Sequence, residues 1–373
     1  MRTKMKLLVI ACLISLFGIS AIYTNTYLSL EKVDKPGVYD GVRIFLDSHA
    51  GKQTIWLLVS IVLFLFVSEI NYRKLWDFAY IFYWVILILL VGVFILGSVR
   101  LGAQRWLKLW IFNFQPSEFA KLCLVLVLAR YYSLKDMSGQ GILNKGFYKS
   151  FVFPFLIVSF PAILVVKQPD LGSAIMLMVI FFSISFVSRV PLKVFFILLG
   201  IFILISPFVW NNLENYQKQR LLVFINPNSD PLGAGYTVVQ SKIAVGAGKF
   251  LGKGWLLGTQ SQLHFLPEAH TDFIFATWAE ERGFVGSAVL VGLYFYLITL
   301  ILEIAEKAYS AFGKLICVGI ASMFAVQICA NILMTIGWSP VVGLPLLFMS
   351  YGGSSLLISF VCLAIIANID KIR

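Results

Sequence analysis

The sequence predicts an all-α integral membrane protein with about ten transmembrane helices and one large extracytoplasmic loop between helices 7 and 8. Three observations support this fold class. Of the 373 residues, 60% are hydrophobic and only 13% are charged, whereas roughly a quarter of a soluble domain is charged. The mean hydropathy is +0.89. Stretches without Asp, Glu, Lys or Arg recur along the chain, and most have about the 20 residues that cross a bilayer as a helix.

Composition and missing motifs exclude several classes of protein. The formal net charge is +12, but the 30 Lys and Arg residues are scattered between apolar runs, which is typical of membrane proteins and not of nucleic-acid-binding proteins. The five cysteines lie in or beside apolar runs, so no disulfide framework is expected. Gly252-Lys253 is followed by Gly254 where a P-loop needs a hydroxyl residue. Because this nucleotide-binding motif is incomplete, a bond-forming reaction would need a donor that arrives already activated, for example on a lipid.

The ten predicted spans follow from the apolar stretches taken in order. The last stretch, Leu315–Ile369, is too long for one crossing and contains helix-breaking Gly and Pro residues at 337–345, so it is expected to hold two spans. Ser117–Ser133 counts as a span because it is apolar after its first residues. The other spans are Leu7–Leu30, Gln53–Ser68, Phe78–Val99, Ser150–Val166, Leu171–Ser188, Val194–Leu213 and Gly283–Leu302.

The positions of Lys and Arg predict the orientation. The basic residues at 2–6 precede the first span without a convincing cleavage site, so this span is expected to be an uncleaved anchor with its N-terminus in the cytoplasm. Basic residues also mark three connectors and the C-terminal tail as cytoplasmic; the connectors are 71–77, 130–149 and 189–193. The long connectors 24–52 and 213–270 then lie outside. The chain 1–373 is expected to form a single membrane domain, and the glycine-rich loop 213–270 is expected to be functional.

Two pairs of charged residues lie in or at the ends of predicted spans, where a charge is costly. Glu118 and Lys121, three residues apart in the fourth span, are either a neutral structural pair or part of a cavity wall that faces an anionic headgroup. Lys167 and Asp170 flank the turn between spans 5 and 6. They either end and begin helices or border the same cavity.

Two arginines outside the spans also have two interpretations. Arg105 lies beside Trp106 after the third span, and Arg220 opens the long loop. Arg and Trp are common anchors at the membrane interface. A guanidinium also binds the oxygens of a diphosphate through paired hydrogen bonds. The residues alone leave this choice open.

The densest run of ionisable groups, residues 264–272, comes just before the eighth span. Pro267 interrupts the helical register that a permanent metal site would need. Thr271 and Asp272 suit the start of a helix, where a carboxylate is stabilised by the first turn. Alternatively, Asp272 acts as a general base on a hydroxyl group at the outer face of the membrane. Residue chemistry alone does not decide between these interpretations.

Eight stretches of the sequence carry a combination of motifs that is specific to one family. They are GAQRWL at 102–107, QPSEFAK at 115–121, KQPDLG at 167–172, DPLGAGY at 230–236, QSKIA at 240–244, GKGWLLGTQSQL at 252–263, FLPEAHTDFIFA at 265–276 and GLPLLFMSYGGSS at 343–355. From about residue 56 onward the chain resembles the SEDS family (shape, elongation, division and sporulation), the ten-span peptidoglycan glycosyltransferases of bacterial inner membranes. The DPLGAGY, QSKIA and GTQSQL stretches resemble its RodA-like elongation branch more than its FtsW-like division branch.

This resemblance implies a reaction and a set of site residues. SEDS proteins polymerise lipid II, a disaccharide-pentapeptide carried on undecaprenyl diphosphate, into glycan strands. Asp272 matches the acidic residue of the family's His-Thr-Asp motif and is the expected catalytic residue. The residues expected to contact the substrate are Arg105, Glu118, Lys121, Lys167, Asp170, Arg220, Lys242 and His270.

The resemblance also implies partners and a location. These are a class B penicillin-binding protein that cross-links the strands, further proteins of the elongation complex, and the bacterial inner membrane with both termini in the cytoplasm. No permanent metal site is expected, although Mg²⁺ or Mn²⁺ would bind loosely with the diphosphate. Nucleic acid is not an expected partner. A lipid II flippase, a non-catalytic scaffold and the division role remain alternatives; the flippase is suggested by the buried charges at positions 118, 121 and 170.

Overall fold

The chain folds into a bundle of long helices joined by shorter helices and one small sheet. The computed structural model describes residues 2–31, 45–100, 103–109, 112–137, 151–212, 214–231, 233–263 and 265–372. Parts of the predicted connectors 24–52 and 130–149 therefore lie outside the described residues. The helices are α1 (Arg2–Glu31), α2 (His49–Val67), α3 (Lys74–Leu96), α4 (Pro116–Met137), α5 (Phe153–Lys167), α6 (Leu171–Val187), α7 (Leu192–Asn212), α8 (Asn215–Ile225), α9 (Ala234–Ala247), α10 (Thr259–Gln262), α11 (Ile274–Lys307), α12 (Ala311–Thr335) and α13 (Gly353–Lys371).

The long helices have the length and composition of membrane-spanning segments. Within the described part of the chain, α1, α2, α3, α11, α12 and α13 are long and apolar enough to cross a membrane, and α5, α6 and α7 are shorter apolar helices. Helices with apolar residues all round are stable in lipid because every backbone group is bonded within the helix. The prediction of a helical membrane protein is confirmed, and the number of ten crossings stays a proposal.

Ion pairs hold both ends of the chain at one end of the bundle. Lys4 Nζ lies 2.8 Å from Glu69 Oε1, and Lys371 pairs with the same carboxylate. At the opposite end, Thr277 near the start of α11 donates a hydrogen bond to Asn25 near the end of α1 (3.4 Å). We call this opposite end the distal end. The start of α13 also lies there, because α13 finishes at Lys371.

A small sheet at the distal end was not predicted from the sequence. Strands β1 (Ser98–Arg100), β2 (Ala103–Leu109) and β3 (Phe112–Phe114) pair antiparallel in the order β1-β2-β3, so the fold is not all-α. β2 packs against α3 and α4, and Ser354 at the start of α13 donates a hydrogen bond to the carbonyl of Asn113 (3.1 Å). These contacts fix the strand that carries Arg105 at the distal end.

The core lies around α12 and α13. α12 packs against α4, α6 and α11, and α13 packs against α1 and α2. α12 also carries three fully buried polar side chains, Gln327, Asn331 and Thr335. Their spacing of four residues puts them on one face of the helix. Buried polar groups are tolerated only when they are hydrogen-bonded, so this face needs polar partners.

α11 is interrupted at Gly283, and the glycine-rich loop binds to the interruption. The φ angle of Gly283 is 64°, which suits glycine, and a Cβ atom there would collide with the loop backbone. Phe284 N–H donates to the Lys249 carbonyl (2.9 Å), and Lys253 N–H donates to the Glu280 carbonyl (3.0 Å). Lys253 Nζ also pairs with the fully buried Glu280 carboxylate at 2.8 Å. The loop is thereby held against the first part of α11.

Candidate functional site

Asp272 lies two residues before α11 and does not cap it. Phe273 is the N-cap residue, and the helix has no side-chain cap hydrogen bond, so the interpretation of Asp272 as a helix cap is wrong. Asp272 is partly buried. Its Oδ2 and the Nη1 of Arg220 each lie 3.7 Å from the position that a Cβ atom on Gly343 would occupy. The carboxylate and the guanidinium therefore border the same glycine.

Charges of both signs surround Asp272. Burial is the main cause that raises the pKa of the Asp272 carboxyl to about 6, with a further increase from Glu268. The positive charges of Arg220 and Arg105 oppose this increase, and Asp170 adds to it. A carboxyl group with a pKa closer to neutral is a stronger base than an ordinary Asp. The arrangement therefore suits proton transfer near neutral pH.

Asp170 organises the turn between α5 and α6. It is the N-cap of α6 and accepts a hydrogen bond from Ser173 N–H (3.1 Å). Its Oδ2 also accepts hydrogen bonds from Ser117 Oγ (3.1 Å) and Gln115 Nε2 (3.3 Å). The structure thus joins Asp170 to the start of α4, while Lys167, at the end of α5, is exposed.

Glu118 and Lys121 form the ion pair that their spacing predicts. Lys121 Nζ lies 2.8 Å from Glu118 Oε1, and the side chains are only 2% and 4% exposed. Lys121 Nζ also donates to Gln327 Oε1 (3.1 Å), and Gln327 Nε2 donates to the Pro345 carbonyl (2.9 Å). The pair therefore lies inside the bundle and is linked through Gln327 to the segment 343–351.

Arg220 and Lys242 line one small cleft. The cleft lies between α8, α9 and the turn at 337–341. Gly337 in this turn has a φ angle of 75°, and a side chain there would collide with Lys242, so the glycine lets Lys242 pack over the turn. Two cationic side chains beside one cleft can bind a diphosphate through charge-assisted hydrogen bonds.

His270 belongs to an aromatic cluster beside Asp272. Its ring centroid lies 4.7 Å from that of His49 and 5.9 Å from that of Tyr351. Burial lowers the pKa of His270, and the neighbouring His49 lowers it further, against an increase from Glu268. The ring is therefore neutral near pH 7, which suits packing and hydrogen bonding more than charge stabilisation.

The described residues do not form a metal-binding cage. Across the part of the chain that the structure describes, no group of three or more His, Cys, Asp or Glu side chains is arranged to hold a metal ion. Mg²⁺ commonly needs only one or two carboxylates when substrate phosphates supply the other ligands. Glu268 is an exposed carboxylate beside Asp272. The donor set therefore fits an ion that arrives with a diphosphate.

Sequence reasoning missed several polar residues of the site. Gln327 and Asn331 are amides four residues apart in an otherwise apolar helix, and this pattern could have identified them, because unbonded amides are costly in a membrane. Glu268 lies in the ionisable run already recognised. No signal distinguished Gln115 or Ser350 from other polar residues in their motifs.

Comparisons with known proteins cover nearly the whole chain. The family model of the FtsW, RodA and SpoVE cell cycle proteins matches residues 5–373. The peptidoglycan glycosyltransferase MrdB of Escherichia coli strain K12 is 40% identical over 329 residues, which are 88% of this chain and 86% of that protein. The probable peptidoglycan glycosyltransferase FtsW of Trichlorobacter lovleyi is 36% identical over 369 residues, or 98% of this chain and 92% of that protein.

A solved structure extends the similarity to three dimensions. It is described as showing the structural coordination of polymerization and crosslinking by a peptidoglycan synthase complex. Its matching chain has a TM-score of 0.79 and 28% sequence identity. The match covers 98% of the chain studied and 97% of the matched chain. The similarity in fold therefore extends over nearly the whole chain.

Proposed function

This chain belongs to the FtsW, RodA and SpoVE family of cell cycle proteins, and we propose that it polymerises lipid II into the glycan strands of peptidoglycan during cell elongation. The observation that carries this proposal is the placement of Asp272, a partly buried carboxylate of raised pKa under the influence of Arg105 and Arg220. The 40% sequence identity to MrdB, a peptidoglycan glycosyltransferase, supports the reaction class. The RodA-like sequence stretches support the elongation role.

In the proposed reaction Asp272 is the general base. Its carboxylate takes the proton from the 4-hydroxyl group of the acceptor sugar while that oxygen attacks the anomeric carbon of the donor. The bond between the anomeric carbon and the diphosphate oxygen breaks, and the electron pair leaves with the diphosphate. Attack on the opposite face converts an α-linked donor into a β-linked strand. General-base catalysis of this kind typically contributes about 10²–10⁴-fold in rate.

The leaving diphosphate is the proposed ligand of the cationic residues. Arg220 and Lys242 share the cleft at 337–341, and Arg105 acts on Asp272 from the small sheet. Fixed positive charges stabilise the negative charge that develops as the bond to the diphosphate breaks. A Mg²⁺ or Mn²⁺ ion bound to the diphosphate, with Glu268 as its protein ligand, would supply further positive charge.

The remaining candidate residues have supporting roles in this proposal. Glu118 and Lys121 are buried in the bundle, so their proposed role is to support the segment 343–351 through Gln327 and not to contact the substrate directly. Asp170 fixes the turn that leads into α6. Lys167 is exposed at the same turn and contacts a phosphate group, and His270 borders the acceptor sugar.

We place the protein in the bacterial inner membrane with ten crossings. The six long apolar helices, the three shorter ones and α4, which contains the paired charges, supply these crossings. The ion pairs of Lys4 and Lys371 with Glu69 put both termini on one side, and the basic connectors indicate that this side is the cytoplasm. The loop 213–270 and Asp272 then lie outside, where lipid II is polymerised.

A class B penicillin-binding protein with one membrane span is the proposed partner. The matching structure is described as a peptidoglycan synthase complex that coordinates polymerization and crosslinking, which supports such a partner for this chain. The proposed contact surface is the distal ends of α11 and α12 and the connector 24–52, of which residues 32–44 lie outside the described part. Co-purification that survives detergent supports the pairing, and failure with every class B protein of the same cell contradicts it.

Reconstitution with fluorescent lipid II separates polymerisation from transport. Purified protein in liposomes is expected to give long glycan chains, and exchange of Arg220 or Lys242 for Met should reduce them. The matched control is Lys249→Met, because Lys249 is an exposed lysine of the same loop that does not line the cleft. Movement of lipid II across the bilayer without any glycan product would instead favour a flippase, a function that the buried Glu118–Lys121 pair also suits.

A further inference from the structure

We propose that Asn331 and Ser350 are positioning residues that orient Asp272 through the main chain of the segment 270–272. This inference rests on the proposed function, because it assigns Asp272 the role of base. Neither residue is expected to touch the substrate. Both are buried, with relative exposures of 0% and 5%. Their effect is transmitted by hydrogen bonds to carbonyl groups of the segment.

All three carbonyl groups of the segment 270–272 accept a hydrogen bond from a distant part of the chain. The donors are Tyr351 N–H to His270 (2.9 Å), Ser350 Oγ to Thr271 (2.6 Å) and Asn331 Nδ2 to Asp272 (2.9 Å). In a regular α-helix, Ala276 N–H would donate to the Asp272 carbonyl four residues earlier. Here it donates to the Phe273 carbonyl (3.0 Å), so the Asp272 carbonyl can accept from Asn331. Every residue of the segment is therefore held by a hydrogen bond from another part of the chain.

Asn331 connects two segments from the face of α12. Its Nδ2 donates both to the Asp272 carbonyl (2.9 Å) and to the Leu344 carbonyl (2.8 Å). Both partners are acceptors, so only the NH₂ end of the side chain can face them, and the orientation of the amide follows from chemistry. Asn331 thus sets the distance between Asp272 and the glycine turn at 343, which both Asp272 and Arg220 border.

Ser350 fixes the same segment from a second direction. While its Oγ donates to Thr271, it also accepts a hydrogen bond from Leu346 N–H (2.8 Å). The main-chain carbonyl of Ser350 accepts a hydrogen bond from Gln53 Nε2 on α2 (3.1 Å). The hydroxyl is therefore held on both of its hydrogen-bonding sides, and α2 holds the residue itself. A hydroxyl anchored in this way cannot rotate freely, so it fixes the position of the Thr271 carbonyl.

Loss of either residue should reduce turnover more than substrate binding. A misplacement of about 1 Å at a reacting group can lower the rate by about 10²-fold. We therefore expect Asn331→Ala to lower kcat about 10- to 100-fold and Ser350→Ala about 10-fold, with KM within about 2-fold of the wild type. A loosened Asp272 carboxyl also gains water, so the acidic limb of the rate–pH profile should move to lower pH, since burial is the main cause of the raised pKa.

The experiment uses the full chain in liposomes with lipid II, and two matched controls. Thr335→Val removes a buried hydroxyl on the same helix, one that bonds only within α12 to the Ile332 carbonyl (2.7 Å). Ser359→Ala removes a buried hydroxyl of α13 that bonds to the Ser355 carbonyl (2.7 Å). Measured quantities are kcat, KM, the rate–pH profile and the melting temperature of each variant.

The proposal is supported if Asn331→Ala and Ser350→Ala have a lower kcat and an acidic limb that lies at lower pH. Both controls should keep kcat and the rate–pH profile of the wild type. Values of kcat within about 2-fold of the controls, or an unshifted acidic limb, would overturn it. Ser350→Ala alone decides the outcome if Asn331→Ala fails to fold. Absence of glycan product from the wild type would refute the proposed function itself, and an active Asp272→Asn variant would refute the role of Asp272 as base. An inactive Asp272→Asn variant, together with normal kcat in Asn331→Ala and Ser350→Ala, refutes only this inference.

Discussion

Exchange of Asp272 for Asn should stabilise the folded protein at neutral and alkaline pH. Burial raises the pKa of this carboxyl from its ordinary value of 3.8 to about 6, whereas the unfolded chain ionises at the ordinary value. Because the folded state holds its proton to higher pH, ionisation lowers the free energy of unfolding as the pH rises through this interval. Asn has nearly the same shape and no charge to bury, so the variant avoids this loss.

The magnitude follows from the difference in pKa. Each pKa unit corresponds to about 1.36 kcal/mol, so a difference of about two units gives roughly 3 kcal/mol as the upper value. Asp272 is only partly buried, and we therefore expect Asp272→Asn to raise the free energy of unfolding by about 2 kcal/mol at pH 8. At pH 4, close to the ordinary pKa of 3.8, the difference should fall to roughly 0.5 kcal/mol, and it should vanish well below that pKa, where the carboxyl is protonated in both states.

Thermal unfolding of wild type and Asp272→Asn in one detergent, from pH 4 to pH 8, measures this effect. The control is Glu303→Gln, which removes an exposed carboxylate from the same chain and should leave the pH dependence of the melting temperature unchanged. A stabilisation by Asp272→Asn that is equal at pH 4 and pH 8 would refute the reasoning, because it could not come from the ionised carboxyl.

Three further predictions concern the bundle. Lys121→Met should lower the melting temperature more than the double variant with Glu118→Gln, because a buried charge without its partner costs about 3–5 kcal/mol; equal losses would contradict this. An impermeant thiol reagent should label Asn228→Cys in intact cells, and labelling only after the membrane is opened would contradict the ten-span topology. Gly283→Ala should destabilise the protein, because the φ angle is positive and the added Cβ collides with the loop; an unchanged melting temperature would argue against that collision.

The sequence predicted those features that depend on local patterns. Apolar stretches of fixed length located the long helices, because a bilayer imposes that length. The spacing of Glu118 and Lys121 predicted their ion pair, because residues three apart meet on one helix face. The strands around Arg105 escaped prediction, since they are short and lie between two long apolar helices whose signal dominates.

The polar connections of the site depend on contacts distant in sequence. Asn331 meets Asp272 across 59 positions, and Gln53 meets Ser350 across 297; no local pattern encodes such pairs. The helix-cap interpretation of Asp272 failed for a related reason. The Glu268 carbonyl accepts a hydrogen bond from Phe273 N–H (3.3 Å) and closes a tight turn. Asp272 lies inside this turn, so α11 begins only at Ile274.

Glycan formation by Asp272→Asn tests most directly whether Asp272 is the base. We expect at least about 10²-fold less product than wild type in lipid II assays at pH 8, from a protein that melts at the same or a higher temperature. This combination separates lost chemistry from lost folding, since an amide keeps the shape but cannot take the proton. Product close to the wild-type amount would contradict the role of Asp272 as base and remove it from the reaction.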